Sequence, residues 1–243
     1  MGTSYNPRIV TDGLVFCVDA ANKRSYPGAG NKWTDLTANK NNGTMIHSGS
    51  SNFRSANAGS LAFDGINEQV NFGPTNDIIG NNPAAISLSA WFKTDNNSQT
   101  FYIASFKRFS NDSLSTLLSI SINQAGNNSL SPNYLGFLYD IGDGGHRRIP
   151  VQSSAFYGRW NQITATVDVN AATLYLNGVQ AGQDTTNTFA GPSRDDPSGD
   201  FTVGSFGTSL FAHANISQVH AYNRVLSASE VQQNYLATKG RYQ

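Results

Sequence analysis

Apolar and polar residues alternate along most of the chain, which is the period of a β-strand with one buried face. In residues 86–92, Ile86, Leu88 and Ala90 fall on one side, while the serines between them fall on the other. Further runs of strand length lie at 14–18, 60–64, 69–72, 101–106, 117–122, 135–139, 162–168, 173–176, 201–203 and 216–222. Because Gly, Asn, Pro and Ser separate these runs, the pattern predicts an all-β protein: a two-sheet antiparallel sandwich.

One hairpin stands out in this pattern. Asn177-Gly178 separates two strand-length runs, and Asn-Gly is a strong hairpin signal because both residues tolerate positive φ. Residues 161–181 are therefore predicted to form a three-stranded meander.

A single helix is predicted, near the end of the sequence. Ser227 and Glu230 have the spacing of a capping box, in which each side chain bonds the backbone of the other residue. Val231 and Tyr235 then share one helix face, and Gly240 marks the stop. We expect this helix to pack across an end of the sandwich.

The apolar faces also predict the core. We expect largely buried side chains at Phe63, Leu88, Ala90, Trp91, Trp160, Ile163, Leu174, Leu176 and Val219. Cys17 lies in an apolar run and is expected to pack as a small hydrophobe. Long polar loops are expected at 22–32, 37–59, 107–115, 123–133 and 182–200.

The charge balance narrows the choice of partners. Sixteen Lys and Arg residues balance sixteen Asp and Glu residues, whereas nucleic acids and anionic membranes attract a basic surface. No run approaches the ~18 apolar residues of a membrane span, and the first residues lack the order of a secretory signal. We therefore expect no nucleic-acid partner and no membrane insertion. No linker divides the chain, so we expect an arm at 1–12 and one domain at 13–243.

Several motifs occur in the order typical of a known family. They are SLAFDGINEQVNFG (60–73), ISLSAWFKT (86–94), GRWNQITATVDVNAATLYLNGVQAG (158–182), FTVGSF (201–206) and ISQVHAYNRVLSASEVQQNYLATKGRY (216–242). Together they resemble the laminin-G-like branch of the concanavalin A-like lectin/glucanase fold. The resemblance implies that the sandwich is a jelly roll with one short C-terminal helix. The stretches 13–45 and 234–242 are similar to those of virion structural proteins of tailed bacteriophages.

The residues do not match the enzymes of this fold. Retaining glycoside hydrolysis needs two carboxylates about 5–5.5 Å apart, which a Glu-x-Asp-x-x-Glu strand supplies in laminarinase-type relatives. This chain has only two glutamates, Glu68 and Glu230, and neither lies in such a motif. We therefore expect that the protein is not an enzyme and has no catalytic residues. The alternative that stays open is a sialidase-like or lyase site assembled from distant loops.

Metal binding follows a similar argument. The four histidines and single cysteine show no metal-motif spacing, so we expect no metal site and no cofactor. The resemblance leaves calcium as the alternative, since many laminin-G-like domains hold one calcium ion in rim loops. The eligible loop carboxylates are Asp140, Asp143, Asp195, Asp196 and Asp200.

The resemblance implies two functional hypotheses. The first is a non-catalytic structural, decoration or adhesion component of a phage virion, on the capsid or a tail appendage, with glycan binding as an added role. Its partners would be other virion proteins, host cell-surface glycan and further copies of itself. The alternative is a free carbohydrate-binding, lectin-like module of a bacterial surface or secreted protein, located extracellularly or at the cell surface.

Candidate ligand residues follow from how sugars are recognised, by aromatic rings and by polar side chains. The aromatic candidates beside loops are Tyr102, Phe106, Phe109, Tyr134 and Tyr139, most of which are expected to serve the core. The polar candidates are His146, Arg147, Asp195 and Asp196.

Overall fold

The computed structural model describes residues 7–47, 52–56, 59–81, 83–110, 113–124, 130–142, 145–186 and 199–242. The first sheet contains β1 (Leu14–Asp19), β4 (Phe53–Arg54), β5 (Ser60–Asp64), β7 (Ala85–Lys93), β12 (Asn161–Asp168), β13 (Ala172–Leu176), β14 (Val179–Asp184) and β16 (His213–Tyr222). The second contains β2 (Lys32–Trp33), β3 (Gly43–Ile46), β6 (Gln69–Pro74), β8 (Phe101–Ser110), β9 (Ser113–Gln124), β10 (Leu130–Gly142), β11 (Gly145–Gln152) and β15 (Asp200–Val203).

The two sheets form an antiparallel sandwich. The first runs in the order β14-β13-β12-β7-β16-β5-β4, with β1 also paired to β16, and the second runs β11-β10-β9-β8-β15-β6-β3-β2. Neighbouring strands are antiparallel throughout the described residues. The predicted fold class is therefore confirmed.

The core lies between the sheets and explains the alternation. In β7, Ile86, Leu88 and Ala90 belong to this core, while Trp91 lies on the opposite, outer face. Seven of the nine predicted core residues are buried: Phe63, Leu88, Ala90, Trp91, Ile163, Leu174 and Val219. Cys17 is also buried, and burial raises the pKa of its thiol to about 12.

The other two predicted core residues, Trp160 and Leu176, are half-buried: Leu176 packs against the margin of the core, whereas Trp160 lies outside it. Trp160 precedes β12, and its ring contacts Tyr242 with 5.0 Å between ring centroids. Leu176 is the last residue of β13, directly before the turn. The ends of strands keep one side open to solvent, which sequence alternation does not reveal.

The predicted hairpin is confirmed. Asn177 and Gly178 have φ values of 54° and 80°, the left-handed conformation that a tight two-residue turn needs. β12, β13 and β14 form the predicted meander around it.

Two predicted loops are largely strand. β8 extends to Ser110 and β9 begins at Ser113, so most of 107–115 is a hairpin. In 123–133, β9 ends at Gln124 and β10 begins at Leu130. Polar residues are compatible with these strands because strands with one face away from the core carry them at alternate positions.

The predicted helix is α2 (Ala228–Thr238), and a 3₁₀ turn (Lys239–Arg241) follows it. Both bonds of the capping box between Ser227 and Glu230 are present. The helix does not cross an end of the sandwich but packs on the outer face of the first sheet, where Val231 contacts a cluster containing Tyr175 and Tyr222. These two tyrosines make part of that outer face apolar.

Other parts of the chain add to this picture. A five-residue helix, α1 (Thr75–Ile79), was not predicted and has no side-chain cap.

Within the predicted arm, the Val10 N–H donates to Asn234 Oδ1 at 2.7 Å. The division into an arm and one domain stays a prediction. Neither described helix has the length and apolar character needed to cross a membrane.

Candidate functional site

A polar cleft of about 760 Å³ opens on the outer face of the first sheet. β4, β5, β7, β16 and the loop after β7 supply its walls. Its charged and hydrogen-bonding residues are Asn52, Arg54, Asp64, Glu68, Lys93, Thr94, Asp95, Asn96, Asn97, Ser98, His213 and Asn215.

Strand register places the centre of the cleft. Asn215 of β16 pairs with Ala62 of β5 on one side and with Lys93 of β7 on the other, so the three side chains share one rung of the sheet. Among the described residues, the side chains of Lys93 and Asn215 have no hydrogen-bond partner. Their donors and acceptors are therefore available to a ligand.

The loop after β7 forms a fixed wall. The Asn96 side-chain oxygen accepts the backbone N–H groups of Ser98 and Gln99, at 2.8 and 3.1 Å. The Asn123 side-chain amide donates to the Asn96 and Gln99 carbonyls, at 2.9 Å each. These hydrogen bonds pair polar groups on the inner side of the loop. The outer surface of the loop faces the cleft.

The same bonds determine the proton position on His213. Because the Asn96 oxygen accepts backbone N–H groups, its Nδ2 must be the donor in the 2.7 Å contact with His213 Nδ1. Nδ1 is then an acceptor, and the neutral ring carries its proton on Nε2. The exposed His213 ring thus has an Nε2–H that can serve as a donor to a ligand.

Two of the three carboxylates in the cleft accept hydrogen bonds from other residues of the protein. Glu68 accepts Asn52 Nδ2 at 2.8 Å and the Asp64 N–H at 2.9 Å. Asp64 Oδ1 in turn accepts the Ile66 N–H at 2.8 Å. Asp95 is exposed, and its carboxylate has no hydrogen-bond partner among the described side chains and backbone groups. It is the acidic group best placed to accept hydrogen bonds from a ligand.

The chemistry of the cleft suits a neutral ligand with several hydroxyl groups. Lys93 and the His213 ring donate hydrogen bonds, Asp95 accepts them, and Asn215 can do either. Two cationic and three anionic side chains line the walls, so opposite charges nearly balance. In the described part of the chain, no group of three or more His, Cys, Asp or Glu side chains is placed to hold a metal ion.

The residues predicted from sequence lie elsewhere. Tyr102 is 2% exposed and packs against Phe206, and Tyr139 is fully buried with its hydroxyl donating to Asp184 Oδ2 at 2.8 Å. Burial raises the pKa of both phenols. Phe106, also buried, stacks on Phe201 in the core. The faces of these three rings are turned toward protein neighbours.

The other predicted contacts divide into two groups. Tyr134 is half-buried and Arg147 is exposed, on the neighbouring strands β10 and β11. Phe109 and His146 lie in strands, but their side chains are outside the described part of the structure, as are Asp195 and Asp196 entirely. None of the described candidates lines the cleft, and a ligand role for the nine residues stays a prediction.

The sequence analysis missed the residues of the cleft. One signal was available: Asp95-Asn-Asn-Ser98 is a run of side chains that readily form hydrogen bonds, directly after a predicted strand. Lys93 and Asn215 lack such a signal, because β7 and β16 are far apart in the sequence and only their pairing brings them together.

Comparison with known proteins places this architecture. A family profile, Laminin_G_3, described as the concanavalin A-like lectin/glucanases superfamily, matches residues 64–232. No curated protein sequence matches the chain.

Solved structures share the fold at low sequence identity. Trypanosoma rangeli sialidase in complex with the inhibitor DANA has a TM-score of 0.69 and 16% identity, covering 99% of this chain and 36% of the sialidase chain. The receptor binding domain of botulinum neurotoxin type G has a TM-score of 0.61 and 17% identity, covering 92% of this chain and 51% of that chain. The chain thus spans about a third of the sialidase and half of the toxin domain, and the likeness shows the fold alone.

Proposed function

The chain belongs to the concanavalin A-like lectin/glucanases superfamily, and from this premise we propose that it is a non-catalytic glycan-binding protein whose binding site is the polar cleft. The fold is that of a lectin-like β-sandwich, and function depends on the groups that the fold presents.

The rung that joins Lys93 and Asn215 carries the proposal. Both side chains lack a protein partner among the described residues, and both line the cleft beside Asp95. A saccharide hydroxyl donates one hydrogen bond and accepts others, so a mixed set of donors and acceptors matches it better than a set of one kind. The near balance of charge favours a neutral sugar over a strongly charged ligand.

The roles of the cleft carboxylates support a non-catalytic function. A retaining glycosidase needs a pair of carboxylates free to act as nucleophile and as general acid. Glu68 and Asp64 accept hydrogen bonds that shape the turn after β5. Among the described residues, Asp95 is then the carboxylate of the cleft that has no hydrogen-bond partner. Incubation of the full chain with β-glucans tests this: no reducing sugar should form. Release that disappears in Glu68→Gln would contradict the proposal.

Glycan binding can be tested on an array of oligosaccharides. The full chain should bind a subset of neutral glycans, and Lys93→Ala and Asn215→Ala should each weaken binding by about 1–2 kcal/mol, the net contribution of one or two hydrogen bonds. Lys32→Ala is the matched control, because Lys32 is an exposed lysine of the second sheet. Binding that survives both cleft substitutions would exclude the cleft.

We place the protein on a bacteriophage virion, as a decoration or adhesion component of the capsid or a tail appendage that contacts host-surface glycan. The similarity of residues 13–45 and 234–242 to tailed-phage structural proteins supports this location. Mass spectrometry of washed particles should detect the chain. Its absence from particles would leave the alternative, a lectin-like module of a bacterial surface or secreted protein.

A further inference from the structure

A second feature of the outer face lies outside the lining of the cleft, two residues along β7 from Lys93. Trp91 of β7 is flanked in register by Gln218 of β16 and by Gln162 of β12, so one aromatic ring stands between two amide side chains. We call these three residues the Trp91 platform. Asp19 of β1 continues the same row beyond Gln218.

The amides of the platform are buried without full hydrogen bonding. Gln162 is 1% exposed, and neither its Nε2 nor its Oε1 has a partner among the described residues. Gln218 is 6% exposed; its Nε2 donates to Asp19, while its Oε1 has no partner. Buried amides that lack partners destabilise a fold, and an apolar side chain of similar size would avoid that cost. The fold alone therefore does not account for glutamine at position 162.

Two aromatic rings from the same chain stack on Trp91. Tyr235 of α2 lies 5.8 Å from it between ring centroids, and the nearer ring, Tyr242, covers the platform. Tyr242 stacks on Trp91 with 4.0 Å between ring centroids and 20° between ring planes, and it also contacts the half-buried Trp160. The ring covers Trp91 but offers no hydrogen-bonding group to Gln162, since its hydroxyl donates to Ser217.

Polar bonds at the margin hold the covering segment, residues 238–242. Arg241 pairs with Asp19 through two contacts, 2.8 and 3.1 Å, and the Trp91 indole N–H donates to Thr238 Oγ1 at 2.9 Å. Both Arg241 and Asp19 are partly exposed, so their bonds lie within reach of water. Polar margins of this kind allow a segment to open without unfolding the sheets.

We propose that the Trp91 platform is a second saccharide-binding site, in which the Tyr242 ring occupies the place of a sugar ring. A pyranose has an apolar face that packs on an indole, while its hydroxyls bond to flanking amides such as those of Gln162 and Gln218. The ligand is a neutral oligosaccharide, because the three platform residues, Trp91, Gln162 and Gln218, are all uncharged. The site does not depend on the cleft.

The proposal predicts that uncovering the platform increases affinity. When a ligand binds only the open form, its apparent association constant is the intrinsic constant multiplied by the fraction of molecules that are open. In the full chain, Tyr242→Ala should therefore raise the association constant for at least one of cellohexaose, maltohexaose and chitohexaose by about tenfold. Binding should change tryptophan fluorescence, because Trp91 lies in the site. Tyr242→Phe keeps the ring and should resemble the unmodified protein more than Tyr242→Ala does.

A second substitution tests the amides. In the Tyr242→Ala background, Gln162→Leu should remove the gain in affinity while the melting temperature stays equal or rises. Gln180→Leu, at an exposed glutamine of β14, is the matched control and should keep the gain. If Tyr242→Ala does not fold, Arg241→Ala releases the segment more gently and should give a smaller gain of the same sign.

Two results would overturn the proposal. One is a folded, uncovered variant that binds the three hexaoses no better than the unmodified chain. The other is a gain that survives Gln162→Leu but disappears on Lys93→Ala, since the sugar would then be bound in the cleft. Conversely, loss of cleft binding in Lys93→Ala with the Tyr242→Ala gain retained would support the platform as a separate site.

Discussion

Asp19 and Arg241, 222 positions apart in the sequence, meet in a two-contact ion pair on the outer face of the first sheet. Asp19 ends β1, and Arg241 belongs to the 3₁₀ turn after α2. The pair therefore ties the first strand to the segment that covers Trp91. Because the Asp19 carboxylate also accepts from Gln218, one acidic side chain organises three separate elements.

Protonation of Glu230 at low pH should destabilise the start of α2. Hydrogen bonding to Arg224, 2.6 Å at the shorter contact, lowers the pKa of Glu230 from 4.5 to about 2. The unfolded chain therefore takes up this proton at higher pH than the folded one, so the stabilisation is complete above about pH 4.5 and is lost as the pH falls toward 2. Melting temperatures measured across this range should fall less steeply for Glu230→Gln than for the unmodified chain. Asp77→Asn, at an exposed acid, is the control; equal slopes for all three proteins would refute the prediction.

His220 should make the protein less stable at mildly acidic pH. Burial lowers the pKa of His220 from 6.5 to about 4, with Arg241 acting in the same direction and Asp19 opposing it. Below about pH 6.5 the unfolded chain binds a proton that folded His220 does not, so stability falls from there down to about pH 4. His220→Gln should reduce the difference in unfolding free energy between about pH 7 and pH 4.5 by about 2–3 kcal/mol. Urea titrations check this, with His47→Asn as the exposed control. An unchanged difference would mean that His220 titrates normally.

The core should depend more on Phe106 than on Trp160. Phe106 is fully buried and stacks on Phe201 with 4.1 Å between ring centroids, whereas Trp160 is half-buried. Phe106→Ala should therefore cost about 3–5 kcal/mol of unfolding free energy, and Trp160→Ala about 1–2 kcal/mol. Chemical denaturation of both variants gives the comparison. A greater loss for Trp160→Ala would place that ring in the core after all.

Gly43→Ala should destabilise the sandwich by overpacking. A Cβ at this position would lie 2.5 Å from Phe72 Cε1 and 2.6 Å from Val70 Cγ1, both in the core. Forcing an extra carbon into a packed core costs about 1–3 kcal/mol. Calorimetry should show a lower melting temperature for this variant. Gly240→Ala, with no atom within 4 Å of its Cβ, should be neutral or stabilising, and an equal loss at both glycines would argue against the overpacking explanation.

Features set by neighbouring residues could be predicted from the sequence. The alternation in β7, the Asn177-Gly178 turn and the Ser227–Glu230 capping box each depend on residues at most a few positions apart. The placement of α2 could not be predicted in this way. Whether its apolar face meets an end or an outer face of the sandwich depends on Tyr175 and Tyr222, which reach that face from two separate strands.

Local periodicity by itself determined that the chain is a two-sheet β-protein with one C-terminal helix, and which side of most strands is buried. Only the tertiary structure decided where binding chemistry gathers. Lys93 meets Asn215, and Asn96 meets His213, through the pairing of strands and loops that are more than one hundred positions apart. The physical reason is that apolar alternation specifies the buried face of a strand but not its neighbour in the sheet. Polar side chains on outer faces acquire their partners only when the strand order is set.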